Sequence, residues 1–222
     1  MIMARTVYLN ALKELKEGIL EMGEHIKTAI GRTINALKKD DLILAQAVIN
    51  DDNVIDDKEK EIENLCLKLL LTQQPVASDM RKVSSALKMI TDMERIGDFA
   101  ADIAEIVTRG GRTGTSYTVP FIDAMSVAVI KMVDESILAF TDDNLELAQK
   151  VCRADDEVDE LFNGAKEALL DCIRNDEKFA ERALDLMMVS KYLERIGDHA
   201  TNIAEWVIFS VSGVHVSTEK GF

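Results

Sequence analysis

The pentapeptide Glu94-Arg95-Ile96-Gly97-Asp98 recurs as Glu194-Arg195-Ile196-Gly197-Asp198. Upstream of each copy stand two aspartates four apart, Asp52 and Asp56 in the first case and Asp155 and Asp159 in the second. Carboxylates at that spacing share one face of a helix, where like charges cost roughly 0.2–0.5 kcal/mol per pair. A face kept only for solubility would interleave lysine and arginine. A cation held between the carboxylates removes the repulsion and uses the same oxygens as ligands, which is the chemistry of hard and borderline metal ions. A solvated acidic face and a metal patch are therefore the two readings, and the repetition favours the metal. An oxygen-only donor set suits Mg, Mn, Ca or Fe better than a thiolate-type zinc site.

The elements that position these residues are helices. Apolar residues recur at threes and fours, and no stretch alternates as a strand would. Met89, Met93, Ile96, Ala100, Ile103 and Val107 form a tight seam, matched by Leu193, Ile196, Ala200, Ile203 and Val207. Glu94, Asp98, Asp102 and Glu105 lie roughly opposite the first seam; Glu194, Asp198, Asn202 and Glu205 lie opposite the second, so these carboxylates are expected outside the bundle cores. Asp52 and Asp56 flank a seam of Val48, Ile55, Ile62 and Leu69, and Asp155 and Asp159 flank Val151, Val158, Ala165 and Cys172. Arg95 and Arg195 are candidate charge-balancing or second-layer neighbours. Gly97 and Gly197 each cost about 1 kcal/mol relative to alanine inside a helix, which predicts close approach by a neighbouring helix. His199 replaces Phe99, a packing position before it is a ligand.

Turn signals at 38–41, 72–75, 110–114, 141–144 and 174–176 divide the chain into six helices over about 5–38, 41–72, 76–109, 120–140, 144–174 and 177–211. Asp40 and Asp41 can cap the second helix, and Asp143 with Glu146 can form a capping box for the fifth. The segment Met93–Ile106 matches Leu193–Trp206 with nine of fourteen residues identical, and Val48–Asp57 matches Val151–Glu160 at an offset of 103. One helical unit is used twice. The predicted fold is all-α, two tandem three-helix bundles: residues 1–110, a glycine-rich linker 111–119, and residues 120–222.

Net charge is −14, with 40 acidic against 26 basic residues. That balance disfavours nucleic acid and anionic lipid, which need basic patches. Cys66, Cys152 and Cys172 form no CxxC pair and sit among apolar helical residues as packing groups. Their odd number, with no apolar leader in Met1 to Lys13, predicts a cytoplasmic protein. No run approaches the ~20 apolar residues of a membrane span.

Taken together, the paired ERIGDxAxxIAE segments and upstream DxxxD pairs resemble the PhoU family of phosphate-uptake regulators over essentially the whole chain. The resemblance implies tandem three-helix bundles with E/DxxxD metal motifs. The ligands it implies are Asp52, Asp56, Glu94, Asp98 and Asp102 in the first copy and Asp155, Asp159, Glu194 and Asp198 in the second, where Asn202 departs from the aspartate. It implies a divalent or trivalent metal, Fe, Mn, Mg or Zn, in a multinuclear arrangement, and a homodimer. It implies a negative regulator with no reaction of its own, acting on the phosphate ABC transporter from its ATPase side and on a sensor histidine kinase, so that phosphate-starvation genes stay off when phosphate is plentiful.

Two other classes compete. A carboxylate-bridged di-metal oxidase would use inward-facing Glu with Glu-x-x-His pairs, and no Glu-x-x-His occurs. A metal-free helical scaffold would use the acidic faces for solvation alone. Nucleophilic and nucleotide-binding signatures are absent.

Overall fold

The computed structural model describes residues 2–72, 77–110 and 120–215. Its helices are α1 (Ile2–Lys39), α2 (Leu42–Asp51), α3 (Asn53–Thr72), α4 (Ala77–Gly110), α5 (Pro120–Thr141), α6 (Leu145–Asn175) and α7 (Ala180–Ser212), with a 3₁₀ turn at Glu177–Phe179. No strand occurs among the described residues. One bundle comprises α1, the α2–α3 pair and α4; the other comprises α5, α6 and α7. The expected linker 111–119 and the Gln73-Gln74-Pro75 turn lie outside the described residues.

The predicted seams are the cores. Met89, Met93, Ile96, Ala100, Ile103 and Val107 are buried, as are Leu193, Ile196, Ala200, Ile203 and Val207. Val48, Ile55, Ile62 and Leu69 close the first bundle, and Val151, Val158 and Ala165 the second. Cys172 is half-buried, and Leu169 fills the core at that level instead. The three cysteines are free thiols, and burial pushes that of Cys66 up to about 12.

Two local details differ from expectation. The second helix is interrupted at Asp52, where the Ile55 amide donates to the Asp52 carbonyl at 2.9 Å, a tightened three-residue step. Its counterpart α6 runs unbroken. The cap of α6 is Asn144, whose side chain accepts from the Leu147 amide at 3.0 Å; Asp143 instead takes a left-handed backbone, φ 54°, in the turn. At α2 the expected cap is present, Asp41 accepting from the Leu44 amide at 3.0 Å.

The bundles share one core because α4 packs along α7. Asp92 of α4 pairs with His199 Nδ1 at 2.7 Å and accepts from Asn202 Nδ2 at 3.2 Å. The same contact occurs with the repeats exchanged: Tyr192, which occupies the place of Asp92, stacks on Phe99 with ring centroids 5.7 Å apart and hydrogen-bonds Asp102. Position 92 meets 199 and 202, and position 192 meets 99 and 102. That reciprocity is the pattern of a self-complementary two-fold interface, here within one chain.

Candidate metal centre

In the first repeat the acidic flank of α2 and α3, joined through Asp52, meets the carboxylate row of α4. One oxygen from each of Asp52, Asp56 and Asp98 falls in a group whose members all lie within 4.8 Å of one another. All three side chains are half-buried. Burial, reinforced by the charges of Asp98, Asp56 and Asp102, pushes the Asp52 carboxyl up to about 6. Burial and then Asp98 also raise Glu94, against the pull of Arg95. Asp102 is raised by burial and by Glu105 and Asp98, while the Tyr192 hydroxyl and Arg109 oppose. Arg95 donates to Asp98 at 2.8 Å and reaches Glu94 at 3.6 Å, so it is the local charge-balancing group.

Glu59 belongs to this patch and was not singled out in the sequence. Its pKa is raised by burial, it accepts from Thr91 Oγ1 at 3.3 Å, and its charge is felt at Glu94. The available signal was its place three residues beyond Asp56, on the same helix face. The second repeat carries Phe162 there, 103 residues on, which hid it from a search by repetition.

The second repeat assembles its carboxylates differently. Asp155 is buried at 3% exposure and accepts from Thr201 Oγ1 at 3.4 Å. Lys191 donates to Glu194 at 2.5 Å, where the first repeat has the neutral Thr91. Asp198 is pushed up to about 6 by burial, then by Glu194 and Asp155, against Lys191. By surface area the residue is exposed. Asp159 is half-buried, Arg195 is exposed, and Asn202 turns to Asp92 on the other bundle. Among the described residues the three-carboxylate group is formed in the first repeat alone.

The carboxylates of α4 and α7 lie outside the bundle cores, half-buried or exposed beside the neighbouring helices, whereas Asp155, placed by the sequence on the flank of its seam, is buried. The angle from a helix's own seam locates its core face, but a neighbouring helix covers the flank beside it.

The motif glycines are spaced for that cleft. A Cβ on Gly97 would meet Ile55 Cδ1 at 2.9 Å and Cγ2 at 3.2 Å, with Asp52 Oδ1 at 3.5 Å. At Gly197 the nearest atom is Val158 Cγ1 at 3.4 Å, an ordinary contact. The neighbours are side chains rather than backbone, and the close approach is a need of the first repeat only.

Three carboxylates, with no thiolate or imidazole among the converging groups, fit Mg, Mn, Ca or Fe, and fit zinc less well. The donor set also differs from an oxidase centre, where Glu-x-x-His pairs supply nitrogen. His199, which follows the second ERIGD segment in the chain, is engaged with Asp92 and Phe99.

Comparison with known proteins agrees with this architecture. The PhoU domain model matches twice, over residues 19–107 and 122–207. A phosphate-specific transport system accessory protein PhoU homolog of Clostridium acetobutylicum is 37% identical over 96% of this chain and 98% of its own length. The Pseudomonas aeruginosa protein of the same description is 34% identical over 92% and 85%. The crystal structure of PhoU from Pseudomonas aeruginosa superposes with a TM-score of 0.87, covering 93% of this chain and all of that one. A regulatory protein PhoU from Streptococcus pneumoniae, at 24% identity, shares the fold with the same TM-score. These relatives are named as accessory and regulatory proteins. Matched in both halves by one domain model and by relatives across nearly its full length, the chain belongs to the PhoU domain family.

Proposed function

We propose that this protein is an accessory regulator of phosphate transport whose first-repeat carboxylates bind a metal ion. The phosphate-transport role is supported by the names of its relatives. The metal reading is carried by one observation: Asp52, Asp56 and Asp98 offer oxygens within 4.8 Å of one another, while burial and then the charges of its neighbours hold Asp52 above the usual carboxylate range. Like charges held that close are stabilised by a shared cation. Glu94 and Asp102 border the group and are the next oxygens available to a second ion. In the second repeat Asp155, Asp159, Glu194 and Asp198 would hold a weaker ion, since Lys191 already neutralises Glu194.

In the cell the protein would dock on the ATPase side of a phosphate ABC transporter, restrain it when phosphate is abundant, and pass that state to a sensor histidine kinase. It would act in the cytoplasm as a homodimer. No helix among the described residues is long and apolar enough to cross a membrane.

Two measurements test the reading. Metal analysis of tag-free protein should find bound metal that falls by at least half in Asp98→Asn with circular dichroism unchanged; equal metal in parent and variant would favour the scaffold. Deleting the gene should derepress phosphate-starvation genes in phosphate-rich medium, and an unchanged response would count against the regulator.

A further inference from the structure

The two repeats differ in the groove between their first and second helices. An offset of 103 residues carries the start of the first domain match, residue 19, onto that of the second, residue 122, and the cap Asp41 onto the cap Asn144. It pairs α1 with α5 and the α2–α3 segment with α6. In the first repeat His25 and Asp51 stand in this groove, Arg32 donates to Asp51 at 2.6 Å, and a space of about 300 Å³ is left. In the second repeat Ala128 and Ala154 hold the places of His25 and Asp51, and the space is about 690 Å³.

The wider groove is apolar along its length and cationic at one level. Val127 is 69% exposed, beside Ala124 and Ala128. Lys150 donates to Glu135 at 2.6 Å at one end, and Phe121 packs on Gly164 beyond the other. These two contacts fix the antiparallel register of α5 and α6, which sets Lys131 level with Arg153 and Ala154 on the facing wall. Lys131 and Arg153 are exposed, and neither makes an ion pair or side-chain hydrogen bond with another described residue. A protein of net charge −14 thus keeps two uncompensated cations over one apolar groove. Glu157 follows one turn after Arg153, toward the end where Asp123 is held by Lys38 at 2.7 Å.

A groove between two antiparallel helices accepts a third helix, and alanines on its floor let the backbones approach. From the widened groove and its unpaired cations, we propose that the second repeat binds an amphipathic helix of a partner protein. Asp123 to Glu135 accommodates about three turns. The partner's apolar face lies along Val127 and the alanines, with a carboxylate between Lys131 and Arg153 and a basic residue one turn away, opposite Glu157. The groove shares no residue with the carboxylate groups assigned to metal, and the proposal rests neither on them nor on the phosphate-transport role.

The probe is a fluorescein-labelled, lactam-stapled helix of about 14 residues, with leucine and alanine on one face, a central glutamate on that face and a lysine four residues on. Two further probes carry glutamine or lysine in place of the glutamate. Fluorescence anisotropy with full-length protein at constant ionic strength gives the three affinities. Long-range attraction by an acidic protein favours the lysine probe, so tighter binding of the glutamate probe reports the groove itself. The glutamate probe should bind saturably and ~10-fold more tightly than the glutamine one, the gain of a charge-assisted hydrogen bond. Lys131→Glu combined with Arg153→Glu should reverse the order of the glutamate and lysine probes. Ala154→Phe should fill the groove and abolish binding with helicity retained; Val127→Asn, at an exposed position, replaces it if helicity falls, and should weaken all three probes. The proposal is overturned by no saturable binding of the glutamate probe up to millimolar protein, by equal affinity for the three probes, or by an order unchanged in the double variant. It is also overturned if phosphatidylserine vesicles displace the probe where phosphatidylcholine vesicles do not, which makes the groove a lipid contact, or if Val127→Cys cross-links two copies of the chain, which makes a second copy the occupant.

Discussion

Each acidic residue of the first patch carries two opposed demands. Asp52 must stay near Asp56 and Asp98 for a cation to be shared, yet without the cation its charge is penalised by burial and by those same neighbours. Its folded pKa of about 6 lies above the ordinary aspartate value, so the folded state binds more protons than the unfolded state between roughly pH 4 and 6. Stability from this group is therefore gained as pH falls through 6 and lost as pH rises through it, and Asp198 acts in the same direction. In chelator, the urea midpoint should be higher at pH 5 than at pH 8, with the difference shrinking in Asp52→Asn. Saturating divalent metal should restore the pH 8 midpoint; a midpoint that rises with pH in chelator would contradict the cluster's geometry.

At the scale of elements, the two ERIGD helices look interchangeable and are not. Gly97 faces Ile55 too closely to accept a methyl group, while Gly197 has room for one. Alanine at 197 should stabilise the protein by about 0.5–1 kcal/mol through helix propensity alone. At 97 the same gain is outweighed by overpacking, for a net loss of about 1 kcal/mol, and the displaced Ile55 crowds Asp52, so metal uptake should fall as well. Chemical denaturation of both variants checks the pair, and equal shifts would show that Ile55 of α3 does not press on α4 at Gly97. Among the described residues three carboxylates converge in the first repeat and not in the second, where the corresponding helix α6 is unbroken.

For the whole molecule the decisive contact is α4 on α7. It joins two three-helix bundles into one continuous core and sets Asp92 between His199 and Asn202. The protein should unfold in a single calorimetric transition, and Asp92→Ala should lower stability by about 1 kcal/mol because it strands the half-buried His199 and removes the partner of the exposed Asn202 across the interface. Two separate transitions in the parent protein would mean that the bundles are held together more weakly than this interface implies.

The sequence by itself determined the all-α class, the internal duplication and the seams, because helix periodicity and burial are local consequences of residue order. Its apolar positions from Met89 to Val107 and from Leu193 to Val207 are core in the folded chain. It also identified the carboxylates and the family, since both rest on residue types at fixed spacing. Only the tertiary structure decided how deep those carboxylates lie, that Asp155 is inside, that Glu59 joins the first patch and that Lys191 discharges the second. Each of these depends on which neighbouring helix covers a flank. A helical wheel fixes where a side chain leaves its own axis, and the packing angle of the next helix decides what it meets.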